Sequence, residues 1–186
     1  MKKPRSIIVV GSSGNGKTTL VNGLRHHEAD FAFPKRYITR PQRKSDDLVE
    51  NKHVTHDDFK QFLQDGHLEV AWQRPLGKDR YERYGFEVVA PDQRKIVVYS
   101  ANNALLRDKT AILPDSFFDD CFIVLMKADD DIRRQRMLQR SPDIVGEELD
   151  VRVRDNGLDL VSKADLVIDS GEFKPDEVVD LVLRKL

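Results

Sequence analysis

Short apolar runs alternate along the chain with longer segments of helical periodicity. The runs at residues 6–10, 95–99, 122–126 and 166–169 are rich in Ile, Val, Leu and Phe, which predicts buried strands. Helical periodicity, with plausible caps and breakers, occupies residues 18–27, 101–107, 131–140, 147–163 and 175–185. Strands that alternate with helices are typical of a parallel sheet flanked by helices. The sequence therefore predicts an α/β fold.

Residues 37–90 interrupt this alternation with a stretch rich in charged and aromatic side chains. It contains strand-like pieces at 68–72 and 86–89, and a helix is predicted at 57–64. Loops of this length in a compact domain are usually functional or disordered, and the aromatic content argues against disorder. We expect a small inserted subdomain that binds an acceptor, within one domain whose core comprises residues 1–36 and 91–186.

Composition narrows the classes of function. The 186 residues are 39% hydrophobic and 34% charged, which is ordinary for a globular protein with one core. Lys and Arg (31) nearly balance Asp and Glu (32), so no basic field predicts a nucleic-acid partner. Residues 7–10 form too short an apolar run for a signal core or a membrane span. Because Cys121 lies in an apolar run, we expect a buried reduced thiol and a cytoplasmic protein without a membrane segment.

A glycine-rich turn follows the first predicted strand and precedes the first predicted helix. It matches the phosphate-binding loop G-x-x-x-x-G-K-[ST], whose glycines let backbone N–H groups converge on a phosphate. Lys17 would supply charge to the β and γ phosphates, and Thr18 would offer its hydroxyl to Mg²⁺. A turn that binds nothing is disfavoured because both flanks fit. The predicted residues for ATP and Mg²⁺ are Gly11, Ser12, Ser13, Gly14, Asn15, Gly16, Lys17, Thr18 and Thr19.

Three arginines crowd the segment at residues 36–43. Guanidinium groups bind phosphates through paired hydrogen bonds and stay charged, although arginines of this kind can also be solvated surface residues. The segment resembles the guanylate-kinase-like family, in which a Thr-Arg-x-x-Arg sequence holds the phosphate of the acceptor. Arg40 and Arg43 occupy the positions of those arginines. The resemblance implies an acceptor site formed by Arg36, Tyr37, Arg40, Arg43 and Tyr84.

Within that family the chain looks more like the ribose 1,5-bisphosphate phosphokinases than the guanylate kinases. The similarity includes Glu50-Asn51, where Asn51 replaces a tyrosine of the guanylate kinases, and the strand end at residues 97–102 lacks their acidic residue. The resemblance therefore implies ribose 1,5-bisphosphate as the first candidate acceptor and GMP as the second. Residues 74–83 lengthen the approach to Tyr84 and could form a lid, a partner surface or a disordered segment.

Residues 136–156 resemble the lid of these kinases. Arginines suit a lid because negative charge spreads over the oxygens of the transferred phosphoryl group in the transition state. The resemblance implies that Arg140 and Arg152, together with Lys17, are catalytic, and Asp143 belongs to the same stretch. Arginines on charged helices often face solvent, and we expect this of Arg133 and Arg134.

The sequence thus predicts a kinase that transfers the γ-phosphoryl group of Mg-ATP to a small phosphorylated molecule. Such an acceptor needs no general base, because a phosphate oxygen is already deprotonated. A non-catalytic binding module would have little use for Gly16-Lys17-Thr18, and a regulatory NTPase should carry a magnesium aspartate that is not found after Val98. We expect Asp129 and its acidic neighbours to cap a helix rather than bind Mg²⁺. The sequence contains no signal for an oligomeric state.

Overall fold

A computed structural model describes residues 4–27, 30–43, 46–77, 80–90, 95–142 and 146–186. The strands are β1 (Ser6–Val10), β2 (Phe31–Ala32), β3 (Arg36–Ile38), β4 (Asn51–His53), β5 (Leu68–Gly77), β6 (Arg80–Glu87), β7 (Ile96–Ser100), β8 (Cys121–Lys127) and β9 (Leu166–Asp169). The α-helices are α1 (Lys17–Arg25), α2 (His56–Gln64), α3 (Asp130–Arg140), α4 (Glu147–Arg154) and α5 (Pro175–Leu183), and 3₁₀ helices form at Asn103–Leu106 and Leu158–Lys163.

The larger sheet is parallel and has the strand order β2-β7-β1-β8-β9. Ile7 and Val9 of β1 face a cluster that includes apolar residues of α1 and α5, while Ile8 and Val10 face the opposite core. All four are fully buried, as expected for a central strand covered on both faces. The predicted α/β fold is confirmed. Its central strand delivers the glycine-rich turn to the carboxyl edge of the sheet, where α/β folds bind their ligands.

The smaller sheet has the order β4-β3-β6-β5, with β3 parallel to β4 and antiparallel to β6. One face packs on α2, where Phe59, Tyr37 and Leu68 are buried together. The other face packs against the parallel sheet through aromatic side chains such as Trp72, which shares a cluster with Tyr99. This two-sided packing fixes the smaller sheet, and the segment between β3 and β4, beside the carboxyl edge of the larger one.

Residues 74–83 belong mostly to the hairpin of β5 and β6. Arg74 pairs with Glu82 and Pro75 with Tyr81, while Lys78 and Asp79 lie outside the described residues. The predicted strand at 86–89 was therefore too short, because β6 begins at Arg80. Its charged residues conceal the alternation that marks a strand, and the pairing with β5 defines it instead.

The single helix predicted at 147–163 is wrong. The backbone leaves the helix after α4, and Asp155 turns so that its Oδ1 accepts hydrogen bonds from Asn103 Nδ2 and Arg107 Nη1, both at 2.9 Å. A 3₁₀ helix follows Gly157. The Asn-Gly pair at this point is the local signal for the break, and the hydrogen bonds from Asn103 and Arg107 to Asp155 are its tertiary cause.

Two findings concern a possible membrane segment and the state of the single cysteine. In the described part of the chain, no helix is both long enough and apolar enough to span a bilayer. The half-buried thiol of Cys121 lies 3.2 Å from the backbone oxygen of Phe118. Burial, assisted by the charge of Asp165, raises the pKa of Cys121 to about 11. The thiol is therefore protonated at neutral pH, as a structural cysteine should be.

Candidate functional site

A cleft of about 460 Å³ opens at the carboxyl edge of the parallel sheet. The glycine-rich loop lines one part of the cleft, Arg40, Arg43 and residues 46, 47, 50 and 51 form a second wall, and α3 and α4 contribute to the rim. Clefts of this size with converging polar groups are typical of small-molecule sites. The predicted site residues with side chains that the structure brings together here are Ser13, Asn15, Lys17, Thr18, Arg40, Arg43, Arg140 and Arg152.

The loop between β1 and α1 has the conformation of a phosphate cradle. Gly14 has a φ of +84°, and a Cβ at this position would lie 2.9 Å from the backbone oxygen of Arg133. Only glycine adopts such a turn without strain where another segment of the same chain packs so close. Lys17 Nζ folds back over the loop and donates hydrogen bonds to the backbone oxygens of Gly11 at 2.5 Å and Ser12 at 2.9 Å.

The surroundings of Lys17 disfavour the protonated form of its amine. Burial, followed by the positive charges of Arg36 and Arg140, lowers the pKa of Lys17 to about 7. Cations that converge on a buried point disfavour one another, and an anion bound between them reverses this effect. The loop is therefore prepared for a polyanion such as a nucleotide phosphate chain.

Two predicted nucleotide-binding residues support the loop from behind. Asn15 Nδ2 donates to the backbone oxygen of Met126 at 2.7 Å, and Ser12 Oγ accepts from Asn103 Nδ2 at 2.7 Å. Both side chains are buried. Thr19 is exposed on α1. The side chains of Ser12 and Asn15 thus tie the loop to neighbouring elements and do not project into the cleft as free ligands.

Arg133 also holds the loop, which corrects the expectation that it faces solvent. Its side chain is fully buried, and its Nε donates to the backbone oxygen of Ser13 at 3.2 Å. It lies four residues before the buried Met137, so both occupy the inner face of α3. That spacing was the available sequence signal. Arg134 is partly exposed and pairs with Asp150 at 2.9 Å, closer to the expectation.

Arg136 was predicted to belong to the lid, and its contacts lie at the loop. Its Nη1 donates to the backbone oxygen of Gly14 at 3.0 Å and to Ser170 Oγ at 2.7 Å, while Nη2 donates to the backbone oxygen of Ser170 at 2.9 Å. The arginine therefore joins the loop to the end of β9. These charge-assisted bonds hold the loop backbone in place.

Arg40 enters the cleft already oriented by a carboxylate. Its two terminal nitrogens donate to the two oxygens of Asp46, both at 2.6 Å. Asp46 also accepts from the backbone N–H of Arg43 at 2.7 Å and lies 3.2 Å from His53 Nε2. Burial opposes ionisation of Asp46, but the hydrogen bonds from Arg40 and Arg43 prevail and lower its pKa. Asp46 thus positions Arg40 as a fixed part of the wall.

Arg43 differs from Arg40 because its charge is not compensated. No hydrogen bond or ion pair joins its guanidinium to any other residue that the structure describes. Burial, followed by the charges of Arg40 and Arg152, lowers the pKa of Arg43 to about 10. Arg43 is half-buried, and a guanidinium withdrawn from water with unsatisfied donors is costly unless an anion pairs with it. Arg43 is therefore the residue of this wall best prepared to bind a phosphate.

Arg36 lies behind the cleft wall rather than in it. Its Nε donates to Asn51 Oδ1 at 2.9 Å, and its Nη1 donates to the backbone oxygen of Ser100 at 2.5 Å. It lines a smaller cavity next to the cleft. The arginine thus joins the smaller sheet to the end of β7, and its charge acts on Lys17 from a distance.

The two tyrosines predicted to bind the acceptor, Tyr37 and Tyr84, pack outside the cleft in the part of the chain that the structure describes. Tyr37 is buried on the α2 side of the smaller sheet, with its ring edge-on to Phe62 at 5.2 Å. Tyr84 stacks on Trp72 at 5.4 Å, and its hydroxyl donates to the carboxylate of Glu82. Neither lines the cleft. The alternation of side chains along β3 explains Tyr37, because Ile38 occupies the face toward the main core.

The rim arginines both reach the cleft. Arg140 is exposed at the end of α3, and Arg152 is buried on α4. Asp143 lies outside the described residues. The cleft also contains three acidic residues that were not predicted as site residues, namely Asp46, Asp47 and Glu50. They lie in a run of charged residues that has no periodicity, so the sequence offered only the pair Glu50-Asn51 as a hint.

The chemistry of the cleft fits a nucleotide with its magnesium ion. Thr18 lies in the cleft at the start of α1. No group of three or more His, Cys, Asp or Glu residues within the described ranges could hold a metal alone. Mg²⁺ commonly takes several of its ligands from substrate phosphates and water, so a group of this kind is not required, and the role of Thr18 stays a prediction. As expected, Asp129 caps α3, with Oδ1 accepting from the backbone N–H of Asp131 at 2.8 Å.

Comparisons with known proteins agree with the fold. No family model matches the chain. It is 35% identical over 103 residues to a ribose 1,5-bisphosphate phosphokinase PhnN of Rhodopseudomonas palustris, which covers 50% of this chain and 52% of that protein. It is 28% identical over 153 residues to a protein of the same name from Acidiphilium cryptum, which covers 77% of this chain and 72% of that protein. The match thus spans about half the length of the first relative.

Solved structures show the same architecture. The guanylate kinase of Anaplasma phagocytophilum matches with a TM-score of 0.63 at 14% identity, over 100% of this chain and 86% of that chain. A gluconokinase of Sinorhizobium meliloti matches with a TM-score of 0.52 at 17% identity, over 99% and 92%. These likenesses establish the P-loop kinase fold. Together with the two curated relatives, they confirm the resemblance to the guanylate-kinase-like P-loop kinases.

Proposed function

We propose that this protein is a P-loop kinase that transfers the γ-phosphoryl group of ATP to a small molecule that already bears a phosphate. The observation behind this proposal is that two groups of cationic residues line one cleft. Lys17 and the loop form the first, and Arg43 with Arg40 forms the second. Two phosphate-binding groups across one cleft suit a donor and an acceptor held in line.

The donor half is built from the loop and its helix. Lys17 binds the β and γ phosphates. Their negative charge stabilises the protonated amine, whose pKa is lowered to about 7 in the free protein. Thr18 offers its hydroxyl to Mg²⁺, which when bound neutralises charge on the phosphate chain. The start of α1 adds the positive end of a helix dipole at the same place. Arg133 and Arg136 keep the loop in position from behind.

The acceptor half holds a phosphate between Arg40 and Arg43. An oxygen of that phosphate attacks the γ phosphorus, the bond from the γ phosphorus to the β–γ bridging oxygen breaks, and ADP leaves. The new product contains a diphosphate group. No proton has to be removed from the acceptor, so the absence of a histidine base from the described cleft is no obstacle. Arg140 and Arg152 stabilise the charge of the transferred group from the rim.

Ribose 1,5-bisphosphate is the first candidate acceptor because both curated relatives are named for it. GMP is the second candidate, and the fold of a guanylate kinase is its main support. The end of β7 presents Ser100 and no carboxylate near the cleft, which gives a guanine ring less to bind. A non-catalytic binding module is less attractive because the loop, Lys17 and Thr18 are all arranged for a nucleotide.

A coupled ADP-release assay with Mg-ATP tests the proposal. Ribose 1,5-bisphosphate, GMP, AMP and dTMP are compared with an acceptor-free reaction. We expect ribose 1,5-bisphosphate to give the largest increase in ADP release. A rate that no acceptor raises above the acceptor-free value would falsify the kinase proposal, and a larger response to GMP would replace the first acceptor with the second.

The proposed cytoplasmic location follows from the proposed reaction. ATP and sugar phosphates are small anionic metabolites of the cytoplasm. A protonated, structural thiol at Cys121 is also compatible with that compartment. The proposal includes neither a nucleic-acid nor a membrane partner. The net charge of -1 gives no broad cationic surface for either.

A further inference from the structure

Glu50 is a buried carboxylate on the acceptor side of the cleft. It immediately precedes β4, and its backbone oxygen accepts a hydrogen bond from the backbone N–H of Arg36 at 2.7 Å. Its side chain is 8% exposed and lines both the cleft and the smaller cavity behind it. Oε1 makes no hydrogen bond to any described residue, and Arg25 Nη2 lies 3.8 Å from it. A buried acceptor without a hydrogen bond is rare, and a role in ligand binding is one explanation for it.

The neighbouring polar groups of this wall make hydrogen bonds within the protein. Asp46 is held by Arg40. Asp47 Oδ1 accepts from the backbone N–H of Val49 at 2.8 Å and is a longer 3.4 Å from that of Glu50. Asn51 Nδ2 donates to the backbone oxygen of Asp47 at 2.7 Å, and its oxygen accepts from Arg36. Glu50 is therefore the buried carboxylate of this wall that keeps an oxygen without a hydrogen bond to the described residues.

The charge around Glu50 limits what that ligand group can be. Burial raises the pKa of Glu50, whereas the positive charges of Arg36, Arg25 and Lys17 act in the opposite direction. A carboxylate among cations repels phosphate oxygens and attracts hydrogen-bond donors. Hydroxyl groups are the donors that a sugar phosphate presents a few bonds away from its phosphate. The nearby arginines bind the phosphate of the acceptor, and the carboxylate of Glu50 selects the group to which that phosphate is attached.

We propose that Glu50 is a specificity-determining residue that accepts hydrogen bonds from ring hydroxyls of the acceptor, so that the site selects a polyhydroxylated sugar phosphate. This inference rests on the proposed kinase function. Guanine N–H groups are donors too, but Lys17 and Arg36 lie close enough to act on Glu50 electrostatically. That location corresponds to the phosphate end of an acceptor, where a sugar ring is attached, and a base would lie farther away.

The test compares ribose 1,5-bisphosphate with its 2-deoxy and 3-deoxy analogues in the ADP-release assay. Wild-type protein should use at least one deoxy analogue less well, by about tenfold or more in kcat/KM, because that analogue leaves the buried carboxylate unpaired. Glu50→Gln and Glu50→Ala should bring this ratio toward one. Asp57→Asn removes an acid with a 95% exposed side chain on α2 and should leave the ratio unchanged.

A binding measurement separates specificity from folding and from turnover. Calorimetry with ribose 5-phosphate and 2-deoxyribose 5-phosphate on the ADP-bound protein should show a preference in wild type that Glu50→Gln loses. Glu50→Gln preserves the shape of the side chain, so it serves if Glu50→Ala fails to fold. Equal losses for ribose and deoxyribose acceptors in both variants would overturn the proposal for Glu50 alone.

The remaining outcomes are also decisive. If the Glu50 variants lose activity toward GMP and keep the ribose preference, the carboxylate recognises a base and the proposal is wrong. If no acceptor stimulates the wild-type protein, the kinase function fails, and the role of Glu50 fails with it. If acceptors stimulate the wild type but the deoxy discrimination does not depend on Glu50, only the role of Glu50 is rejected.

Discussion

Arg133 Nε donates a hydrogen bond to the backbone oxygen of Ser13 in the phosphate loop, 3.2 Å away. The terminal nitrogens of the same guanidinium donate to the backbone oxygens of Arg152 at 2.7 Å, Val153 at 2.8 Å and Asp155 at 3.0 Å. One fully buried side chain therefore joins the loop to the end of α4, which contains a proposed catalytic arginine. The loop and the rim of the cleft share a common support.

Replacing Arg133 should destabilise the whole protein. Arg133→Met leaves several buried carbonyl oxygens without a donor, so we expect the free energy of unfolding to fall by about 2–4 kcal/mol. Urea denaturation measures this change. Arg134→Met is the matched control, because its partly exposed pair with Asp150 should contribute less than about 1 kcal/mol. Equal effects of the two variants would refute the structural role of Arg133.

Nucleotide binding should be coupled to protonation of Lys17. In the free protein its pKa is about 7, so at pH 8 most molecules carry a neutral amine. Bound phosphates favour the charged form and raise the pKa, and binding at pH 8 should then take up close to one proton. The uptake should shrink at pH 6, where the amine is already charged. Calorimetry with Mg-ADP in two buffers of different ionisation enthalpy measures it.

Lys17→Arg supplies the control for that measurement. A guanidinium stays protonated at both pH values, so this contribution to proton uptake should be missing from the variant. The relevant quantity is the difference between wild type and Lys17→Arg, since the nucleotide itself also titrates. An identical uptake in both proteins at pH 8 would show that Lys17 is already charged before the nucleotide binds.

Gly23 permits the close packing of α1 on α5. A Cβ at this position would lie 2.3 Å from Val179 Cγ2. Gly23→Ala should therefore lower the free energy of unfolding by about 1–3 kcal/mol through overpacking, despite the better helix propensity of alanine. Val179→Ala should relieve the clash, so the double variant should lose less stability than the two single changes added together. Strict additivity would argue against this contact.

Arg43 should contribute to acceptor binding and not to nucleotide binding. Arg43→Ala should lower kcat/KM for the phosphorylated acceptor by about tenfold or more, while the Kd for Mg-ADP changes little. Arg43→Lys should recover part of the activity, because it restores the charge without the paired geometry. The exposed Arg184 provides a control, and Arg184→Ala should behave as wild type. A matching loss of nucleotide affinity in Arg43→Ala would assign this arginine to the donor half.

The sequence was informative where chemistry depends on neighbours in the chain. The strand, glycine turn and helix around Lys17 are local, so their pattern predicts both the structure and a nucleotide phosphate as ligand. Arg40 and Arg43 were found through the resemblance of their segment to the guanylate-kinase-like family, and both line the cleft. The strand boundaries of β1 and β9 were also predicted correctly; β1 is a buried central strand with a continuous apolar run, and β9 is an edge strand with a short apolar run.

Other features depend on contacts between distant parts of the chain. The spacing of Arg133 to Met137 places it on the inner face of α3, but the docking of α3 against the loop determines what its guanidinium binds. Asp155 ends α4 because Asn103 and Arg107 hold its carboxylate from another element. Glu50 lies in a charged segment that resembles a solvated loop until the smaller sheet buries it. No periodicity encodes such relationships.

The central claim is that the γ-phosphoryl group of ATP moves to a phosphate of the acceptor. Phosphorus NMR of a reaction with Mg-ATP and ribose 1,5-bisphosphate tests it directly, because the product should show a second pair of coupled diphosphate signals besides those of ADP. Their appearance should match ADP formation and slow by about 100-fold or more in Lys17→Ala. ADP accompanied only by inorganic phosphate, or product formation at an unchanged rate in Lys17→Ala, would contradict the account.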